Sequence, residues 1–130
     1  MELQRGSLQR HEELKQHVLL NPELLGIAKD DVIEVQTEIP LHKRKHSIIA
    51  RPDLFITYRC DGGICRTFVE IKSGNCRRAK SNLLVQLRKI HKFITHHKIP
   101  ATVVGVYPGE TALEVMVLSP SRAARFLHSA

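Results

Sequence analysis

The strongest constraint in this chain is an amphipathic helix that must be covered by something else. Between Lys80 and His97, Leu83, Leu87, Ile90 and Ile94 recur at intervals of four, three and four. At 100° per residue they form one apolar stripe, closed by Pro100. The segments on either side are strand-like, which makes a sheet the natural seat. Val32 to Leu41 alternates apolar and polar positions, as a strand exposed on one side does. His42-Lys43-Arg44-Lys45-His46 then interrupts as a basic loop. Ile48 to Arg59 and Cys65 to Ser73 are rich in β-branched and aromatic residues and are joined by the turn composition Asp61-Gly62-Gly63. After the long helix, Ala101 to Tyr107 is a continuous apolar run suited to an interior strand. Pro108-Gly109 turns the chain into a last strand, Leu113 to Leu118. The sequence therefore predicts an α/β domain with a central mixed β-sheet of about five strands flanked by helices.

Two further helices complete the pattern. One is predicted from about Ser7 to Leu20, stopping before Asn21-Pro22 because the residue preceding proline is driven out of the helical region. Its apolar face is drawn through Leu8, Leu14, Val18 and Leu19; Glu12 borders that face and Glu13 points away. The other is a short tail helix from Ser119-Pro120-Ser121 to about Leu127, with Ser119 as N-cap and Pro120 at the first position.

One hundred and thirty residues make a single domain, 1–130, large enough to fold without a metal or disulfide staple. Hydrophobic residues at 42% and charged residues at 25% exclude a disordered chain. No apolar run approaches a membrane span, and Met1 to Arg10 has no signal-peptide core, which points to an intracellular protein. Lys and Arg number 20 against 13 Asp and Glu, a net charge of +7 that favours a polyanionic partner. The three cysteines read as small buried or half-buried thiols. A turn at Gly62-Gly63 would set Cys60 opposite Cys65, so a cross-strand disulfide there is conceivable, with Cys76 left over. No spacing supplies a convincing zinc site.

Chemistry concentrates at two strand positions where carboxylates are otherwise costly. Arg51-Pro52-Asp53 heads the second predicted strand, and Glu70-Ile71-Lys72 lies within the third. Residues i and i+2 share a strand face, so Glu70 and Lys72 project together while Val69 and Ile71 face the opposite side. If the two strands form a hairpin, Asp53 approaches the same region. Two carboxylates beside one ammonium suit a hard cation, Mg²⁺ or Mn²⁺. As an alternative, Glu70 and Lys72 are a solvated strand face. Glu34 and Glu38, on the first predicted strand, are further candidates for the cation, whereas Asp30-Asp31 belongs to a turn.

Pro52-Asp53 followed after a hairpin by Glu70-Ile71-Lys72 resembles the signature of the PD-(D/E)xK nuclease superfamily. The order also agrees: helix, strand, Asp, ExK strand, helix. The resemblance spans roughly Glu12 to Tyr107 and implies a restriction-endonuclease-like core. It further implies a metal-dependent phosphodiesterase in which Asp53 and Glu70 hold the metal and Lys72 is the catalytic partner. Arg10-His11-Glu12-Glu13-Leu14 is similar to the first-helix segment of archaeal Holliday-junction resolvases, which implies Glu12 as a further ligand, with Glu13 as the fallback. Gln86 stands where RecB-type members carry a glutamine on the helix after ExK. Where those members often have a tyrosine four residues on, this chain has Ile90. Likeness to the resolvases also implies a homodimer.

Two basic clusters bracket the carboxylates in sequence: Lys43, Arg44 and Lys45 before Asp53, and Arg77, Arg78 and Lys80 after Lys72, continued by Arg88, Lys89 and Lys92. Such arms suit a phosphate backbone. His42 and His46 flank the first cluster. His96 and His97, at the end of the long helix, complement its dipole. With no Trp, two Tyr and four Phe, a base-stacking platform is thinly supported, and duplex or branched DNA is the expected partner. The functional expectation is a Mg²⁺- or Mn²⁺-dependent DNA endonuclease. Its rivals are a non-catalytic nucleic-acid-binding protein and an RNA-cleaving enzyme of the same fold.

Overall fold

The computed structural model describes residues 2–44 and 47–118, with side chains from residue 8 onward apart from those of residues 43 and 44. Among the described residues, one long helix precedes five strands and a second precedes two more. They are α1 (Glu2–Leu20), β1 (Val32–Thr37), β2 (Leu41–Arg44), β3 (Ser47–Ala50), β4 (Leu54–Cys60), β5 (Gly63–Ile71), α2 (Arg77–His96), β6 (Thr102–Pro108) and β7 (Leu113–Val117). Five of the strands form one mixed sheet in the order β1-β4-β5-β6-β7, while β2 and β3 form a separate two-stranded sheet. Within the large sheet only β5 and β6 run parallel, and α2 is the crossover between them, since parallel neighbours need a long connection. The expected five-stranded mixed α/β architecture is present.

Alternation along the strands sorts two cores onto the two faces. Val69 and Ile71 of β5 join Leu54, Ile56, Val104, Val106, Ile27 and Val18 of α1 on one face. Phe68 joins Val103, Leu41, Ala50 and the α2 stripe of Leu83, Leu87, Ile90 and Ile94 on the other. The stripe is buried as its spacing requires. It sits so close to the sheet that a Cβ at Gly105 would lie 2.9 Å from Leu83, so glycine is what lets α2 approach β6 there.

Several local expectations are corrected. The first predicted strand does not continue to Leu41: β1 ends at Thr37, Glu38 turns with φ of 51°, and Leu41 starts β2. The basic segment is not a free loop, because His42, Lys43 and Arg44 lie on β2, where His42 and Arg44 pair with β3. Lys45 and His46 fall outside the described residues. The second predicted strand is two strands, β3 and β4, separated by Arg51-Pro52-Asp53. A proline there has no N–H for a ladder, so pairing stops. The β4–β5 turn is made by Asp61 and Gly62, both at positive φ, with Cys60 opposite Gly63. Cys60 and Cys65 are therefore diagonal neighbours on one face, and they form a disulfide instead of remaining thiols. Cys76 is free, and exposed where a buried thiol was expected. The predicted tail helix lies outside the described residues.

On α1 the buried face is rotated from the one drawn through Leu8, which is 66% exposed. Val18 and Lys15 are buried and His11 and Leu14 half-buried, a set spaced i, i+3, i+4 and i+7. Asn21 closes the helix, its side-chain amide donating to the His17 carbonyl at 2.9 Å.

Candidate functional site: a buried carboxylate pair at the end of the β4–β5 hairpin

The register of the hairpin determines which side chains meet. Leu54 opposes Val69, so one step further Asp53 comes abreast of Glu70. There β4 has ended, and the next β5 amide facing it belongs to Ile71. That N–H donates to Asp53 Oδ2 at 2.7 Å, so the carboxylate replaces the missing strand. The Lys72 N–H points the other way and donates to the Val106 carbonyl at 2.9 Å, extending the β5–β6 ladder past Ile71. The Asp53 carbonyl accepts from the Glu38 N–H at 3.1 Å.

Asp53 is 7% and Glu70 9% exposed. Burial pushes the Glu70 carboxyl up to about 9, and the hydrogen bond and negative charge of Asp53 push it in the same direction. The Lys72 ammonium and the Ile71 amide oppose these effects without cancelling them. At neutral pH Glu70 therefore keeps its proton, as one of two crowded carboxyls does. Val69 and Ile71 face the apolar core as expected, while half-buried Lys72 acts on Glu70 as a nearby positive charge. Asp53, Glu70 and Lys72 are thus brought together.

The first helix contributes different residues from those expected. His11 Nε2 lies 3.1 Å from Asp53 Oδ1. Glu12, with its side chain 56% exposed, pairs instead with Lys15 Nζ at 3.3 Å. Glu13 is exposed and accepts from the Gln9 amide at 3.1 Å. Lys15 is 6% exposed and also lies 3.9 Å from the Glu38 carboxylate. The position of His11 was legible on the helix: at 100° per residue it falls about 20° from Val18, nearer than Leu8 or Leu14. Glu34 is exposed on β1, Asp30 and Asp31 belong to a 3-10 turn, and Gln86 is half-buried on the flank of the α2 stripe.

Arg77, Arg78 and Lys80 are exposed on the first turn of α2, and Arg88, Lys89 and Lys92 on its outer face. Lys80 Nζ stands 5.3 Å from the centre of the Tyr107 ring, and Arg77, Lys80, Ser81, Leu84 and Met116 line an open groove. His96 and His97 are exposed at the C-terminal end of α2. Among the described residues, no three His, Cys, Asp or Glu side chains stand as a closed metal-ligand set. No described helix is long and apolar enough to cross a membrane. The chain matches no family model, no curated protein and no solved structure.

Proposed function

We propose that this protein is a divalent-metal-dependent endonuclease of the PD-(D/E)xK kind, with a restriction-endonuclease-like core, acting inside the cell on duplex or branched DNA. One observation carries the reading: Asp53, just before β4, and Glu70 on the adjoining β5 share a buried corner with the charge of Lys72 beside them. Two interior carboxylates are unfavourable unless something cationic, or a proton, sits between them. The pair fits Mg²⁺ or Mn²⁺, because its donors are hard oxygens, and burial, reinforced by the hydrogen bond and charge of Asp53, already holds a proton on Glu70 where a cation would relieve the crowding. Asp53 and Glu70 would hold the cation, which when bound polarises a phosphodiester and makes water a stronger nucleophile at neutral pH.

The remaining work falls to the chain itself. Lys72 offsets negative charge developing on the phosphate. Arg77, Arg78, Lys80 and Arg88 grip the backbone, with Lys43, Arg44 and Lys45 as a second arm and Gln86 orienting the site from α2. A resolvase-like member would act as a homodimer, each copy cutting one strand.

The second reading, a binding protein without turnover, is favoured by the absence of a closed three-donor set among the described residues. Cleavage of labelled junction, flap, duplex and single-stranded DNA and of RNA, with and without Mn²⁺, separates the readings. Asp53→Ala and Lys72→Ala are expected to abolish cutting and to leave salt-sensitive binding in place. A wild type that binds DNA and cuts nothing supports the second reading, and cleavage confined to RNA changes the substrate.

A further inference from the structure

Asp53 is held at both carboxylate oxygens by donors from two different elements. Oδ2 accepts from the Ile71 N–H of β5 at 2.7 Å, and Oδ1 faces His11 Nε2 of α1 at 3.1 Å. The last torsion of an aspartate is soft and roughly two-fold, so a carboxylate held at one oxygen still swings. Donors at both oxygens fix its plane. An ionised carboxylate only accepts, so Nε2 is the donor in this pair.

Resting on the endonuclease reading, we propose that His11 is a positioning residue. It orients the Asp53 carboxylate toward the cation without binding the cation itself.

Three observations support an orienting role. The ring nitrogen within reach of the site is already committed to Oδ1. Among the described residues, His11 does not complete a three-donor ligand set with Asp53 and Glu70. The helix that carries His11 is also pinned at this corner. One turn on, buried Lys15 lies near Glu38, whose N–H holds the Asp53 carbonyl. Glu38 adopts φ of 51°, a conformation uncommon away from glycine and one that surrounding contacts must maintain. Side chain and backbone of Asp53 are thus both referred to α1, the first through His11 and the second through Glu38 and Lys15.

The test uses Mn²⁺ alone as probe, on the full chain. In metal-free wild type, ¹⁵N NMR is expected to find a hydrogen on His11 Nε2. His11→Ala should raise the Mn²⁺ dissociation constant about 10–100-fold, as loss of a partner behind a ligand does elsewhere. His11→Gln, whose amide N–H has nearly the same reach, should bring it back to within about threefold of wild type. Electron spin echo spectra of the Mn²⁺ complex should contain no coupling from a directly bound nitrogen. An Nδ1–H tautomer, equal Mn²⁺ affinity in wild type and His11→Ala, or a directly bound imidazole overturns the positioning role and leaves the endonuclease reading intact. A wild type that takes up no Mn²⁺ overturns both.

Discussion

Glu70→Gln isolates the electrostatics of the carboxylate pair in a single change. In the metal-free protein the Glu70 carboxyl is pushed from 4.5 up to about 9, chiefly by burial and then by Asp53. A carboxyl whose folded pKa lies above its unfolded value binds its proton more tightly in the folded state. Its effect is absent below about pH 4.5, where both states are protonated. Between about 4.5 and 9 the unfolded chain ionises while the native protein keeps the proton, so stability falls as pH rises; above about 9 the loss is complete. At 1.36 kcal/mol per pH unit, the loss by pH 7 is on the order of 3 kcal/mol. Glutamine has nearly the same shape, donates an N–H where the protonated acid donated an O–H, and does not titrate. Urea unfolding of wild type and Glu70→Gln in EDTA, from pH 5 to pH 9, should show the variant gaining stability over wild type steadily with pH. Subtracting the two curves removes the groups they share. Parallel curves would mean that Glu70 titrates as an ordinary surface carboxyl, and would refute the buried-pair reasoning.

Other perturbations address separate parts of the molecule. Gly105→Ala places a methyl 2.9 Å from Leu83 and should cost about 1–3 kcal/mol through overpacking between α2 and β6, read from urea midpoints. Reducing the Cys60–Cys65 disulfide, or replacing both residues by serine, should cost about 2 kcal/mol for so short a loop. Because that bond lies at the far end of the hairpin from Asp53, Mn²⁺ affinity should be unchanged. Arg77→Ala with Arg78→Ala should lower the salt dependence of DNA binding by about two phosphate contacts, measured as the slope of log affinity against log salt. An unchanged slope would move the phosphate-binding surface off the start of α2.

The α2 stripe and the alternation on β5 were legible in the sequence because each depends only on the period of its own element. Leu83, Leu87, Ile90 and Ile94 are buried, and Glu70 is separated from Val69 and Ile71, without reference to any other segment. That Asp53 approaches the Glu70–Lys72 segment was also within reach from the hairpin, but a turn at Gly62-Gly63 would set it opposite Lys72; the turn at Asp61 and Gly62 shifts the register so that it meets Glu70. Where that period met an interruption, expectation and structure parted. Pro52 divides one predicted strand into β3 and β4, and Glu38 ends β1 early, because a missing N–H and a left-handed residue each break a ladder that composition alone would continue.

The α1 contribution was decided by tertiary structure for a different reason. A helix wheel ranks faces by apolar content, and the face that packs on this sheet carries His11 and Lys15 alongside Leu14 and Val18. Burying a histidine and a lysine is favourable only if carboxylates wait opposite them. Asp53 faces His11 from the segment before β4, and Lys15 has Glu12 on its own helix as well as Glu38 just after β1. Periodicity within one segment settles which residues share a face. Only the assembled sheet settles which polar side chains on that face find a partner, and so which of them belong to the site.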